Sequence, residues 1–163
     1  MSRLIRSLGL ALAVALAIAA PASAGDQRPV RGSFTGSGDD AEHHCPGALT
    51  LGFAIEGVLS HLGRFTGEGS NCTEFTLGTE AVPIWDGIAI LHAADGSTLT
   101  VSYEGSQGVP SNGVASFSHS DTVVSGTGRF DGATGAFTIE GIVDFSGFPE
   151  VTVNGTVSGW ISY

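Results

Sequence analysis

The chain has 163 residues, 25 of them glycine, and a net charge of −10. Without residues 1–24, which have the features of a removable targeting segment, 139 residues remain. They contain four arginines and no lysine against 16 acidic residues, a net charge of −12. This charge argues against nucleic acid or an anionic membrane as partner, because either needs clustered cations. The remaining length fits one domain with a substantial core.

The first 24 residues follow the three-part plan of a secretory signal peptide. Arg3 and Arg6 give a positive start, residues 8–20 form an apolar run, and Ala22–Ala24 is a small-residue cleavage site. The apolar run is too short to span a bilayer comfortably, and an uncleaved anchor is the alternative. Cleavage before Gly25 predicts a secreted or periplasmic protein with no membrane contact after processing.

Two cysteines, Cys45 and Cys72, remain in the exported chain. An exported protein with two cysteines most simply forms one disulfide. A pair of free thiols and a pair of metal ligands are the alternatives.

Apolar and polar side chains alternate with a period of two along most of the exported chain, which predicts β-strands. The apolar faces are Leu49, Leu51, Phe53 and Ile55; Leu99, Val101 and Tyr103; Phe137, Ile139, Val143 and Phe145; and Val151, Val153, Val157, Ile161 and Tyr163. Residues 30–35, 85–92 and 114–125 are further strand candidates.

Turn residues separate these strands. Asp95-Gly96 lies between two strand patterns, which is a strong hairpin signal. Residues 111–113, 131–135 and Phe148-Pro149 mark further turns. The regular spacing, without any long helical period, predicts an all-β antiparallel meander. Closing eight strands into an up-and-down barrel would remove exposed edges, and a β-sandwich is the structural alternative.

Two stretches resemble the dirigent and allene oxide cyclase barrels. Residues 126–137 (GTGRFDGATGAF) are similar to the glycine-rich signature late in those barrels, where a Gly-Thr-Gly run, a basic residue and a Phe precede a short turn. Residues 99–106, which end in Tyr103, Glu104, Gly105 and Ser106, fit the preceding strand. Small secreted bacterial proteins of the allene-oxide-cyclase barrel type look closest.

The resemblance implies an eight-stranded barrel over residues 25–163, with an apolar cavity open at one end. Relatives hold a reactive apolar molecule in that cavity and steer its cyclisation or coupling. They use neither a metal nor an organic cofactor, so none is expected here. Relatives form dimers or trimers, and the oligomeric state stays open.

Three side chains are candidates for chemistry in such a lumen, namely Glu56, His119 and Tyr103. Glu56 would be a buried carboxylate if the second face of its strand points inward, and an ordinary surface acid if it points outward. His119 lies on the more polar phase of its strand, where a histidine at a barrel mouth would act as a general base or orient a carbonyl. A surface histidine is the alternative. The absence of lysine excludes Schiff-base chemistry, so activity would rest on carboxylate, histidine, tyrosine or cavity shape.

Four aromatic residues are natural wall residues for an apolar ligand: Trp85, Tyr103, Phe117 and Trp160. The same rings would serve equally to fill a dry core. Residues 39–45 combine acidic side chains with His43 and His44, which are groups that bind Zn²⁺ or Cu²⁺. Their spacing matches no known site, so we interpret the segment as a solvated acidic loop and assign no metal.

Two functions follow from the sequence. The first is a secreted barrel that binds a small apolar or phenolic molecule in its lumen and directs an isomerisation or cyclisation without a cofactor. The second is a non-enzymatic exported structural or interaction domain, which the lack of an assembled catalytic set favours.

Overall fold

The computed structural model describes residues 26–40, 45–74 and 81–163. Eight strands form a closed antiparallel barrel in which consecutive strands pair and β1 closes against β8. The up-and-down barrel predicted from the sequence is therefore confirmed, and the sandwich alternative is wrong. The strands are β1 (Arg28–Asp40), β2 (Leu49–Leu59), β3 (Gly63–Thr73), β4 (Ala81–Ala93), β5 (Thr98–Gly108), β6 (Val114–Gly126), β7 (Thr134–Asp144) and β8 (Val151–Ser162).

Two sequence predictions fall on residues that lie outside the described ranges. They are the signal peptide, residues 1–24, and the alternative metal site at His43 and His44. Within the described ranges, no helix is long and apolar enough to cross a membrane.

Inward-facing glycines on one strand make room for rings on the neighbouring strand. A Cβ atom built on Gly87 of β4 would lie within 3.0 Å of the Tyr103 ring, and one on Gly141 of β7 would lie 2.7 Å from the Phe117 ring. No side chain fits at such distances, so the absent Cβ lets each ring lie across the next strand. Further pairs of this kind are Gly57 with Phe65, Gly69 with Phe53, and Gly155 with Phe34.

A buried apolar plug closes one end of the barrel. A 3₁₀ turn, Gly128–Phe130, follows β6, and the Phe130 side chain is fully buried in the main core. Fully buried side chains around it in the same core are Val30, Leu99 and Ile161. The glycine-rich segment of residues 126–137 therefore has a structural task, which is to seal this end.

Arg129 ties the plug to two neighbouring turns. Its guanidinium pairs with the Asp95 carboxylate and donates to the backbone carbonyls of His61 and Leu62, at 3.1 and 3.0 Å. The same group lies 4.7 Å from the centre of the Phe130 ring. One side chain thus connects the β2–β3, β4–β5 and β6–β7 turns at the closed end.

The disulfide between Cys45 and Cys72 is present, with the two Cα atoms 5.7 Å apart. Cys72 is directly opposite Thr50 of β2 and Trp85 of β4 in the sheet. The bond therefore fastens the segment that precedes β2 to the end of β3. The prediction from the cysteine count is confirmed.

We expect the double variant Cys45→Ser/Cys72→Ser to lose about 3–4 kcal/mol of unfolding free energy, because the oxidised chain closes a loop in its unfolded state. Urea denaturation measures the loss. The wild-type protein under reducing conditions is the control and should match the variant. Two thiols reacting with Ellman's reagent in the untreated folded protein would contradict the assignment.

The closed end should also carry a pH-dependent part of the stability. The backbone N–H of Ser97 donates to Asp95 Oδ1 at 3.0 Å, and this bond, with Arg129 nearby, holds the pKa of Asp95 below its usual value. A carboxyl group with a lowered pKa stabilises the folded state above its unfolded pKa, 3.8, and the contribution is lost as pH falls through the folded value.

We therefore expect Asp95→Asn to lower the thermal midpoint at neutral pH, and the deficit to disappear as pH falls well below 3.8. Thermal unfolding from neutral to strongly acidic pH measures this difference. Glu104→Gln, at an exposed position on β5, is the control and should show no such pattern. A deficit that is independent of pH would rule out the charge of Asp95 as its cause.

Candidate ligand-binding site

A cavity of about 130 Å³ lies inside the barrel. It extends from Leu59 and Phe65, near the plug, towards the opposite end, where Gly38, Thr73 and Gln107 lie. An apolar cavity of about 150 Å³ holds a benzene molecule. The rings of the interior therefore do not fill the lumen, and the space that they leave matches roughly one six-membered ring.

The polar side chains of the cavity wall come from three strands on one side of the barrel. We call this set the polar wall: Asn71 and Thr73 of β3, Tyr103 and Gln107 of β5, and His119 and Asp121 of β6. The rest of the lining is apolar or glycine, with rings such as Phe53 and Phe137 and aliphatic side chains such as Ile139. A ligand in this space would meet hydrogen-bonding groups on one side only.

The register of β5 and β6 orders these groups by depth. Gln107 is opposite Phe117, Gly105 is opposite His119, and Tyr103 is opposite Asp121. Because residues two apart share a face of a strand, these residues form one inward row. Gln107 lies farthest from the plug and Tyr103 nearest to it.

Tyr103 crosses the barrel wall from β5 to β3. Its ring lies over Gly87 of β4, and its hydroxyl lies 3.2 Å from both the Ser70 carbonyl and Asn71 Oδ1, to which it donates. Burial, together with the negative charge of Asp121, raises the pKa of Tyr103 well above its ordinary value. The phenol is therefore neutral across the physiological range.

His119 is held by a carboxylate and two rings. Its Nδ1 lies 2.5 Å from Asp121 Oδ1, and both side chains are largely buried. Its imidazole lies 4.6 Å from the centre of the Tyr103 ring and 5.6 Å from that of Phe117, stacked at 13° on the latter. With the Nδ1 proton donated to the carboxylate, a neutral ring carries its lone pair on Nε2.

Three of the predicted site residues line the cavity, namely Tyr103, Phe117 and His119. His119 lies on the cavity wall, so the surface-histidine alternative is wrong. It shares the inward face of β6 with Ala115, Phe117, Asp121 and Val123, of which Ala115, Asp121 and Val123 are buried. The prediction left out Asp121, although its spacing of two from His119 places both on one face.

The other predicted lumen residues lie elsewhere. Glu56 is exposed, because the odd-numbered residues of β2 face inward and Glu56 falls between them. Trp85 lies within the register shift between Ile84 and Gly87 of β4. Its side chain is therefore not among the inward residues of that strand that line the cavity. Trp160 is half-buried and lies off the cavity wall. An inward-facing Glu56 and a lumen lined by Trp85 and Trp160 are therefore wrong.

Gln107, Asn71 and Thr73 were also missed from the sequence. Gln107 is buried, and its side-chain Nε2 has no hydrogen-bond partner among the described residues. Across residues 26–40, 45–74 and 81–163, no three His, Cys, Asp or Glu side chains are grouped so that they could hold a metal ion.

The placement of Tyr103 depends on Gly87, and this dependence can be measured. We expect Gly87→Ala to cost about 1–3 kcal/mol of stability, because the new methyl group would overlap the ring. In a Tyr103→Ala background, the same substitution should cost much less. A double-mutant cycle by urea denaturation gives the coupling energy, and additive effects would contradict the packing described above.

Comparisons with known proteins give structural similarities only. No family model matches the chain, and no curated protein matches it. It is similar to the pterocarpan synthase dirigent protein GePTS1, at 13% identity and a TM-score of 0.49, over 94% of this chain and 98% of that one. It is also similar to the pterocarpan synthase dirigent protein PsPTS1, at 16% identity and a TM-score of 0.49, over 86% of this chain and 98% of that one. At this identity and TM-score, the similarity assigns neither an activity nor a ligand to this chain.

Proposed function

We propose that this protein is an exported barrel that binds a small, uncharged, largely apolar molecule in its lumen. The class includes phenolic molecules of about one ring, and the protein directs an isomerisation or cyclisation of its ligand without a cofactor. The observation that carries the proposal is a ring-sized apolar cavity with hydrogen-bonding groups on one side. Such a combination is typical of sites that hold and orient small molecules.

The charge of the lining supports an uncharged ligand. Asp121 is the acidic residue of the polar wall, and its carboxylate is already engaged by His119. None of the described residues on the wall is Lys or Arg. An anionic ligand would lose its hydration without gaining a counter-ion, which is costly in an apolar site.

Two further observations support export of the protein and its role in directing a reaction of the ligand. The disulfide is typical of proteins that fold in oxidising compartments. His119, fixed by Asp121, supplies a group that can accept and return a proton beside the bound molecule. A site used only for storage has no need of such a pair.

Binding of single-ring probes tests the proposal. We expect phenol and benzene to give saturation-transfer NMR signals with the protein, and benzoate to give none. Val153→Phe places a larger side chain on the cavity wall and should abolish the signals. The control, Val58→Phe, adds the same ring at a position that is 53% exposed and should leave binding unchanged.

Failure of all neutral probes to bind the folded wild-type protein would overturn the proposal. It would favour the alternative drawn from the sequence, a non-enzymatic exported structural or interaction domain. Binding that persists in folded Val153→Phe protein would show that the probes bind outside the lumen.

A further inference from the structure

The side-chain amide of Gln107 marks a position for a ligand oxygen. Gln107 is only 6% exposed and lines the cavity, and its Nε2 donor has no partner among the described residues. A buried donor without a partner destabilises the folded state, because its hydration is lost and nothing replaces it. This cost is recovered when a bound molecule supplies an acceptor, and an uncharged carbonyl oxygen suits a lumen whose described lining residues include no Lys or Arg.

His119 lies on the same inward face as Gln107 and has one ring nitrogen that Asp121 does not contact. Since Nδ1 is bonded to Asp121, the ring atom left for a ligand is Nε2. Gln107 is opposite Phe117, and Gly105 is opposite His119, so Gln107 and His119 are diagonal neighbours on β5 and β6. Diagonal positions are roughly 7–8 Å apart at the backbone. Side chains at such positions can contact two adjacent atoms of one small molecule.

We propose that the lumen is a proton-transfer site for small uncharged carbonyl compounds. Gln107 donates to the carbonyl oxygen, His119 Nε2 removes a proton from the carbon beside the carbonyl, and Asp121 is a positioning residue. The inference rests on the proposed function and deepens it, because it names the class of substrate and the proton that moves. The bulk of the substrate packs against the apolar wall.

The step balances without an oxidant or a second reactant. The C–H electron pair becomes a carbon–carbon double bond, the carbonyl π electrons move to oxygen, and His119 carries the proton as imidazolium beside the Asp121 carboxylate. The Gln107 amide stabilises the charge that develops on oxygen. Return of the proton to the same carbon gives exchange, and return to a conjugated carbon of an unsaturated ketone shifts the double bond, which is an isomerisation.

Deuterium exchange into cyclohexanone tests this step. In D₂O, we expect the wild-type protein to increase the loss of the α-hydrogen NMR signal, and His119→Gln to reduce the protein-dependent rate about 10²-fold or more. The matched control is His92→Gln, because His92 and Glu68 form a second histidine–carboxylate pair on the outside of the barrel, 3.9 Å apart. That variant should exchange at the wild-type rate.

Two more variants separate positioning from packing. Gln107→Leu keeps the volume but removes the donor, and should weaken cyclohexanone binding severalfold while leaving cyclohexane binding unchanged. Asp121→Asn should change the pH profile of exchange, because the imidazolium loses its counter-charge. A profile identical to that of the wild type would overturn the role of Asp121.

Binding is measured in the same samples by saturation transfer, so the two proposals can fail separately. If cyclohexanone binds the lumen but exchanges no faster than with His119→Gln, the proton-transfer site is wrong and the ligand-binding function stands. If no neutral ring compound binds, both are wrong. Circular dichroism of each variant confirms that the barrel is folded, and exchange that persists in folded His119→Gln protein also overturns the inference.

Discussion

The contact between inward glycines and neighbouring rings determines what this barrel can hold. An eight-stranded barrel has an interior just wide enough for its own side chains to fill. Tyr103 lying over Gly87, and Phe117 lying over Gly141, keep two large rings against the wall instead of across the axis. A Cβ at either glycine would push the ring towards the centre. The free volume of the lumen is therefore a consequence of which strand positions lack a side chain.

Apolar core packing and the polar residues of the cavity lie at different positions along the barrel. At one end, Phe130 fills the interior and Arg129 fastens it to two other turns. Beyond this plug, the inward row of β5 and β6 changes from aliphatic residues to Tyr103, His119 and Gln107. The buried histidine and carboxylate are tolerated because each satisfies the other. A rigid closed end supports a lumen in which polar groups hold fixed positions.

The sequence predicted most of the fold because alternation is a local property. It did not identify β3 as a strand, because Gly67 and Gly69 occupy inward positions and the apolar atoms over them belong to neighbours such as Leu91 and Phe53. It placed Trp85 wrongly because a register shift changes which residues face inward. It left the direction of His119 open between the barrel mouth and the surface, because a polar side chain fits either face of a strand until the barrel closes. Gln107 could not be found, since its unpaired donor exists only in the folded barrel.

The disulfide is attached to the backbone of the cavity wall. Cys72 stands between Asn71 and Thr73, which both line the cavity, and Asn71 accepts the hydroxyl proton of Tyr103. Closing the bond to Cys45 therefore fixes the backbone from which two groups of the polar wall project. Reduction of the bond would remove this constraint, so the redox state of the two cysteines and the geometry of the cavity wall are coupled.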